Sequence, residues 1–362
     1  MTSPRFSILI PTLNGERDLR RLIPALQAQR FTGGLEICVQ DSESTDGTRE
    51  LLLAAGARLE TIPRERFHHG LVRNLLAARA RGEFLIFLSQ DCLPAREDFI
   101  EELVAPFIDR RVAGVTARTL PNPGDDALTR RTALALPEAS TQPFPRDLDG
   151  LAGIWELDAA TRVAYLRFNN VASAVRASVM AELPFPEVPF GEDFAWASRV
   201  LTAGWRLTSA PASLVYHAHA YDLRPAFERY RVDAAFHVMS HGHRLRPGPW
   251  AALRGFCYEV SRDLAFIWSA GEPAPAAWAA AGRSPLLRGA QVLGQLCGSR
   301  GWLGGLGEAW RGWVARTSYF PFARGFAMPG ATALIGGTLL WLVAMYGHRW
   351  FGIMGAGVFR WL

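Results

Sequence analysis

With 362 residues, 49% hydrophobic and 20% charged, the chain fits one large α/β domain plus an accessory region, and bulk disorder is excluded. Its 39 basic residues are all Arg, and the net charge of +5 is unevenly spread: residues 244–362 hold twelve Arg against Glu259, Asp263, Glu272 and Glu308, which leaves residues 1–243 at −3. A basic end suits nucleic acid or an anionic membrane surface, and without a helix-turn-helix, zinc-finger or RNA-binding signature the expectation is no nucleic-acid partner.

The first 120 residues alternate strands and helices. "FSILIPTLN" is a β-rich run ending in turn residues, too short for the apolar core of a signal peptide. "ERDLRRLIPALQAQR" places Leu19, Leu22, Ile23 and Leu26 on one helical face, with Pro24 weakening its middle. "LEICVQDSESTDGT" is a strand running into a turn, "TRELLLAAGA" a helix ending near Gly56, and "RLETIP" a third strand. "GLVRNLLAARARG" predicts a third helix with Gly82 as its C-cap. "EFLIFLSQD" is a continuous apolar strand, as in a sheet covered on both faces. Repeated βα units predict a doubly wound, mostly parallel sheet whose ligands bind beyond the carboxyl ends of the strands.

Residues 121–150, rich in Pro, Asp and Arg, predict a surface excursion. From about residue 225 helical apolar segments dominate, and nine of the twelve Trp lie between Trp250 and Trp361. Residues 325–347 carry no charge over 23 positions, enough to span a bilayer. Arg311, Arg316 and Arg324 precede that run, and Trp341, Tyr346 and Trp350 lie near its far end, as at a membrane interface. The expectation is membrane contact, as a span or an interfacial helix. Gly330, Gly336 and Gly337 lower its hydrophobicity, and a buried core helix is the alternative. The four cysteines (Cys38, Cys92, Cys257, Cys297) form no CxxC pair, so neither a zinc site nor a disulfide framework is expected, and reduced thiols in a cytosolic setting suffice.

Two acids, Asp41 and Asp91, end strands. Either alone fits a cap or a turn former; both together converge on one crevice. Glu192-Asp193 opens the amphipathic "GEDFAWASRVLTAGW", where first-turn acids complement a helix dipole. His217 and His219, two apart in "SLVYHAH", share a face if that segment is a strand. His241-Gly242-His243 reads as loop.

The ordered pieces "SILIPTLNGERDL", "VQDSESTDGT", "HGLVRNLLAARARGEFLIFLSQDCLP" and "GED" resemble the motifs of family 2 glycosyltransferases with a GT-A fold, over about residues 5–240. "FHHGLVRN", "FLSQDCLP" and "FNNVASAVRASVMAELPFPEVPFGEDFAWASRVLTAGW" are most similar to bacterial dTDP-rhamnose-dependent rhamnosyltransferases. The resemblance implies a catalytic domain over 1–240, and the composition beyond it predicts a helical, membrane-associated region over 241–362. It implies that Thr12, Asn14 and Glu16 line the nucleotide pocket and that Asp41 accepts a hydrogen bond from a pyrimidine N–H, which selects uracil or thymine. Arg73 and Asn74 would steady ribose or diphosphate, although a solvated helix residue is an equal reading of Arg73. Gln90 falls in the same donor site.

By the same resemblance Asp91 binds a divalent metal, Mg2+ or Mn2+, with His217, and His219 is the alternate ligand or a diphosphate contact. Where the common motif has two acids this chain has Ser89-Gln90-Asp91, which keeps only the last; a metal that also holds two phosphates needs few protein ligands. Asp193 would be the general base and Glu192 would orient the acceptor; the local sequence alone favours capping. The implied reaction is inverting transfer from a dTDP- or UDP-sugar, dTDP-L-rhamnose first, to a glycan or polyprenyl-diphosphate-linked acceptor. The implied location is the cytoplasmic face of the bacterial inner membrane. Another UDP- or dTDP-sugar, or an inactive membrane-bound assembly factor, are the alternatives. A nucleotidyltransferase would need a Gly-rich, basic loop where "PTLNGERDL" stands.

Overall fold

The computed structural model describes residues 4–188 and 190–300. The run 325–347, expected at a membrane, lies outside the described residues. In chain order the regular elements are β1 (Phe6–Thr12), α1 (Glu16–Gln27), β2 (Leu35–Asp41), α2 (Thr48–Ala54), β3 (Arg58–Thr61), α3 (His69–Arg79), β4 (Phe84–Leu88), β5 (Leu93–Pro94), α4 (Phe99–Val104), β6 (Val112–Leu120), α5 (Ala127–Leu134), α6 (Ala159–Leu166), β7 (Ala172–Arg176), α7 (Ala177–Glu182), α8 (Glu192–Thr202), β8 (Arg206–Tyr216), α9 (Leu223–His241), α10 (Pro249–Ser269) and α11 (Ala274–Ser299).

Contacts divide these residues into two units. The first holds 4–220 and 235–244, the second 221–234 and 245–300, so α9 starts in the second and ends in the first. The first unit is built on one sheet of order β3-β2-β1-β4-β7-β6-β8-β5. Alternate residues of its central strands go to opposite faces. Ile8, Ile10, Ile86 and Leu88 join a core with Leu19, Leu22 and Leu26 of α1 and Phe99 and Leu103 of α4. Leu9, Leu85 and Phe87 join a second core with Val72 and Leu76 of α3 and Trp196 and Val200 of α8. Two covered faces explain why β4 is apolar throughout.

The sheet is mostly parallel, as expected, with two of its eight strands reversed. β1, β2, β3 and β4 pair in parallel, as do β6 and β8, but β7 runs antiparallel to both β4 and β6, and β5 runs antiparallel to β8. The chain leaves β6 at its carboxyl end and enters β7 at Ala172, opposite Leu88 at the carboxyl end of β4. With no crossover to the far edge, β7 must run backwards.

Three local expectations also change. The first helix runs through Pro24, whose exposed position lets the Arg20 carbonyl it leaves unpaired face outward. Residues 121–150 are not all surface: Ala127, Leu128 and Ala133 of α5 are buried. Gly82 is not the cap of α3, whose C-cap is Ala80. It lies where its N–H donates to Ser7 Oγ at 2.8 Å, and a Cβ there would sit 2.6 Å from the Ser7 backbone nitrogen.

In the second unit α10 and α11 pack through Ala252, Phe256, Val260 and Val292. Asp263 and Arg288 are both buried and form a bidentate pair, with Nε and Nη2 each 2.8 Å from a carboxylate oxygen; Ser284 donates to the same carboxylate at 2.6 Å. The region is helical as expected, but no helix among the described residues is long and apolar enough to cross a membrane.

Candidate active site

Three groups of side chains gather beyond the carboxyl ends of the strands and at the head of α8. The first laces the loops after β1 and β2 together. Asp41, fully buried, accepts from the Thr12 hydroxyl at 2.9 Å, the Ser44 hydroxyl at 2.5 Å and the Ser44 N–H at 2.9 Å. Its carboxylate retains capacity for one further donor. Asn14, at φ 48°, accepts the Thr45 N–H at 2.8 Å and donates its own N–H to Ser44 Oγ at 2.8 Å. Glu16 accepts the Gly47 N–H at 2.9 Å, and hydrogen bonds from Arg20 and Gly47 hold its carboxyl below the ordinary range. Gln90 clamps Leu13, accepting its N–H at 2.9 Å and donating to its carbonyl at 3.1 Å. Thr12, Asn14, Glu16, Asp41 and Gln90 therefore come together, with much of their hydrogen bonding spent on shaping the loops.

The second group is Asp91, His217 and His219. Both imidazole Nε2 atoms lie near Asp91 Oδ2, at 3.6 Å for His217 and 3.7 Å for His219. One potential ligand atom from each lies within 4.8 Å of the others. Sheet pairing makes this juxtaposition: Leu93 of β5 pairs with Tyr216 of β8, so the turn carrying Asp91 faces the chain just past β8. His217 itself lies one residue beyond the strand, held by its N–H to the Leu120 carbonyl at 2.9 Å. Burial opposes the charge on Asp91, yet the two imidazoles hold its carboxyl below the ordinary value. One carboxylate oxygen and two imidazole nitrogens form a donor set that suits a divalent transition ion. Cys92 is fully buried and its thiol is pushed far up, so it supplies no thiolate.

The third group lies between α3 and α8. Arg73 and Glu192 form a hydrogen-bonded ion pair with side chains only 10% exposed. That removes the capping reading for Glu192 and the solvated-helix reading for Arg73. The α8 N-cap is Gly191, at φ 76°, where a Cβ would strike the Phe236 ring at 2.3 Å. Asn74 is spent on the Phe185 backbone, donating to its carbonyl at 2.9 Å and accepting its N–H at 3.0 Å. The half-buried Asp193 carboxyl is pushed up to about 7, first by burial and then by the Glu192 charge. A carboxyl that titrates near neutrality can accept a proton there and still be ionised enough to act.

Sequence reasoning missed Ser44, Asp18 and Arg167. Ser44 stands inside "DSESTDGT", where a hydroxyl three residues past a strand-end acid is a signal. The Asp18 carboxyl is raised by burial and then by the charge of Asp91, which places it within electrostatic reach of the second group. Arg167 acts on the Asp193 charge from a loop that carries no motif. His241, expected in a loop, is the last residue of α9 and packs against Phe194, the residue after Asp193, with ring centroids 5.6 Å apart.

Residues 7–168 match the family described as "Glycosyl transferase family 2". The O-antigen chain rhamnosyltransferase WbaN of Salmonella anatum is 28% identical over 239 residues, covering 65% of this chain and 73% of that protein. The O-antigen chain rhamnosyltransferase RfbN of Salmonella typhimurium is 28% identical over 241 residues, with the same coverage. Among solved structures, a mannosyltransferase from Pyrobaculum calidifontis, in complex with GDP-Man and Mn2+, is similar with a TM-score of 0.47 and 18% identity, over 98% of this chain and 85% of that one.

Proposed function

We propose that this chain is a family 2 glycosyltransferase, a reading supported by the match over residues 7–168 and by the two rhamnosyltransferase relatives, and that it moves L-rhamnose, with inversion, from dTDP-L-rhamnose to a glycan or polyprenyl-diphosphate-linked acceptor in cell-surface polysaccharide synthesis. The observation that carries the site assignment is the convergence of Asp91, His217 and His219 beyond β4 and β8, beside the loops that Asp41 and Gln90 organise. The rhamnose donor rests on the two rhamnosyltransferase relatives.

Asp41 would accept the N–H of a thymine or uracil. Thr12, Asn14, Glu16 and Gln90 fix the loop that receives the nucleotide, and Asn74 fixes the segment around Phe185. Asp91, His217 and His219 would hold Mg2+ or Mn2+, which when bound neutralises charge on the diphosphate. Asp193 takes the proton of the acceptor hydroxyl as its oxygen attacks the anomeric carbon, and the nucleoside diphosphate leaves from the opposite face. Glu192 and Arg73 set the charge beside Asp193 and hold α8 in place. Holding donor and acceptor in line lowers the entropic barrier.

The deciding experiment is a panel of nucleotide-sugars scored for nucleoside-diphosphate release, with and without chelator. Release from dTDP-L-rhamnose that chelator suppresses is the expected result. Release from another UDP- or dTDP-sugar alone replaces the donor, and no release from any sugar refutes the reaction. We place the protein at the cytoplasmic face of the inner membrane through residues 325–347. Removing 325–362 should then release it from membranes, and a full chain that partitions as soluble without detergent refutes that location.

A further inference from the structure

A cavity of about 360 Å³ opens in the first unit between β6, β8 and the chain around residues 137–146 and 164–169. It lies at a break in the β6–β8 ladder, where the partner of Ala117 is Ala210 but that of Arg118 is Leu214, so Pro211 is squeezed out to line the cavity. Its wall holds three guanidinium groups, Arg118, Arg146 and Arg167, against the single carboxylate of Glu138. Glu138 is committed to Arg167, with Oε1 2.5 Å from Nε and Oε2 3.2 Å from Nη2.

Among the described residues neither of the other two cations is ion-paired with a carboxylate, although the Glu138 charge acts on Arg146 from a distance. Arg146 is 3% exposed; its Nη1 caps α6 by donating to the carbonyls of Tyr165 and Arg167, and its buried Nε has no partner. Burial pulls its guanidinium down to about 10, so it stays charged at neutral pH. Arg118, half-buried, spends only Nε, on the Ala139 carbonyl at 2.9 Å. A buried cation without an ion-paired carboxylate is costly, and guanidinium forks match the geometry of phosphate and carboxylate oxygens. The cavity also adjoins the reaction centre: Arg118 stands two residues before Leu120, whose carbonyl holds the His217 N–H, and Asn169 in its wall accepts the N–H of Val171, whose carbonyl holds Ser89 at the head of the Asp91 turn. Its volume admits one sugar ring or one phosphate-sized group with its substituent.

We infer that this cavity is an oxyanion site for the acceptor, in which Arg118 and Arg146 bind a phosphate ester or a sugar carboxylate and so direct a neighbouring hydroxyl toward Asp193. The inference rests on the glycosyltransferase reading and adds the acceptor's chemical class: it carries negative charge close to the hydroxyl that is glycosylated.

The test is calorimetric titration of the full chain, with its nucleotide site saturated by dTDP, using inorganic phosphate in one arm and glucuronate in the other. Saturable binding in one arm is expected, weakened about tenfold or more in Arg118→Gln and partly restored in Arg118→Lys. Phosphate binding points to a lipid-linked or phosphorylated acceptor, and glucuronate binding to an acidic glycan. Arg146→Gln should lose binding as well; if it fails to fold, the Arg118 pair decides. No saturable binding of either probe up to about 10 mM, or equal affinity in Arg118→Gln, overturns the inference. Failure of dTDP itself to bind counts against the donor reading instead, and the arms run without it still report on the cavity.

Discussion

Glu192→Gln removes one charge of a buried pair and leaves the other in place. Both side chains are about 10% exposed, so solvent screens the pair little. Removing one partner of a buried ion pair costs about 3–5 kcal/mol; the lower end applies here, because the Gln amide oxygen still accepts from Arg73. For a unit of this size a loss of about 3 kcal/mol lowers the melting temperature by about 6–12 °C. A double variant, Arg73→Met with Glu192→Met, leaves no orphan charge and should recover most of that loss. The same change acts on Asp193. Its carboxyl is raised first by burial and second by Glu192, so neutralising Glu192 lowers its pKa while burial keeps it above the ordinary carboxylate value. The acid limb of the pH–rate profile, expected near pH 7 in the wild type, should move to lower pH. Melting curves and a pH–rate series measure both effects. A melting temperature within about 2 °C of wild type, a double variant no more stable than either single change, or a limb that stays fixed would refute the reasoning.

Asp193→Asn should lower transfer by about 10²–10⁴-fold with dTDP affinity near normal, measured by diphosphate release and calorimetry. Retained activity would remove Asp193 as the base. Because folding raises the Asp193 pKa, its stabilising contribution is complete below the ordinary carboxylate pKa and is lost as pH rises to about 7. Asp193→Asn should therefore melt above wild type at pH 8, with the gap closing toward pH 4. His217→Ala and His219→Ala, made separately, should each weaken Mn2+ binding on the order of tenfold or more, because both imidazoles face Asp91; a histidine whose loss changes nothing is not a ligand. Gly82→Ala puts a Cβ 2.6 Å from the Ser7 nitrogen and should cost about 1–3 kcal/mol, read from denaturant unfolding.

Much of the site was legible in the chain. Asp41 and Asp91 stand at or just after strands whose apolar runs are unmistakable, and a parallel βα arrangement sends such positions to one edge. The helix beginning at Glu192 was legible from its spacing, but its role was not. Whether a first-turn acid caps its helix or pairs with a distant Arg depends on what packs beside it, and Arg73 lies 119 residues away in sequence. Asn74 offers the same lesson, since nothing local says that its amide will close on the Phe185 backbone rather than stay free for a ligand.

The sequence by itself determined the alternation of elements, the two-faced apolar core and the family motifs, because these follow from local periodicity and from residues close together in the chain. Tertiary structure decided the rest. It reversed β7, because the chain re-enters the sheet at the edge it had left. It brought His217 and His219 equally close to Asp91, because β5 and β8 pair across a long interval of sequence. It also left Arg118 and Arg146 without an ion-paired carboxylate among the described residues, in a cavity at a broken ladder. Charge balance inside a fold is a sum over neighbours, and the neighbours are set only when the chain has folded.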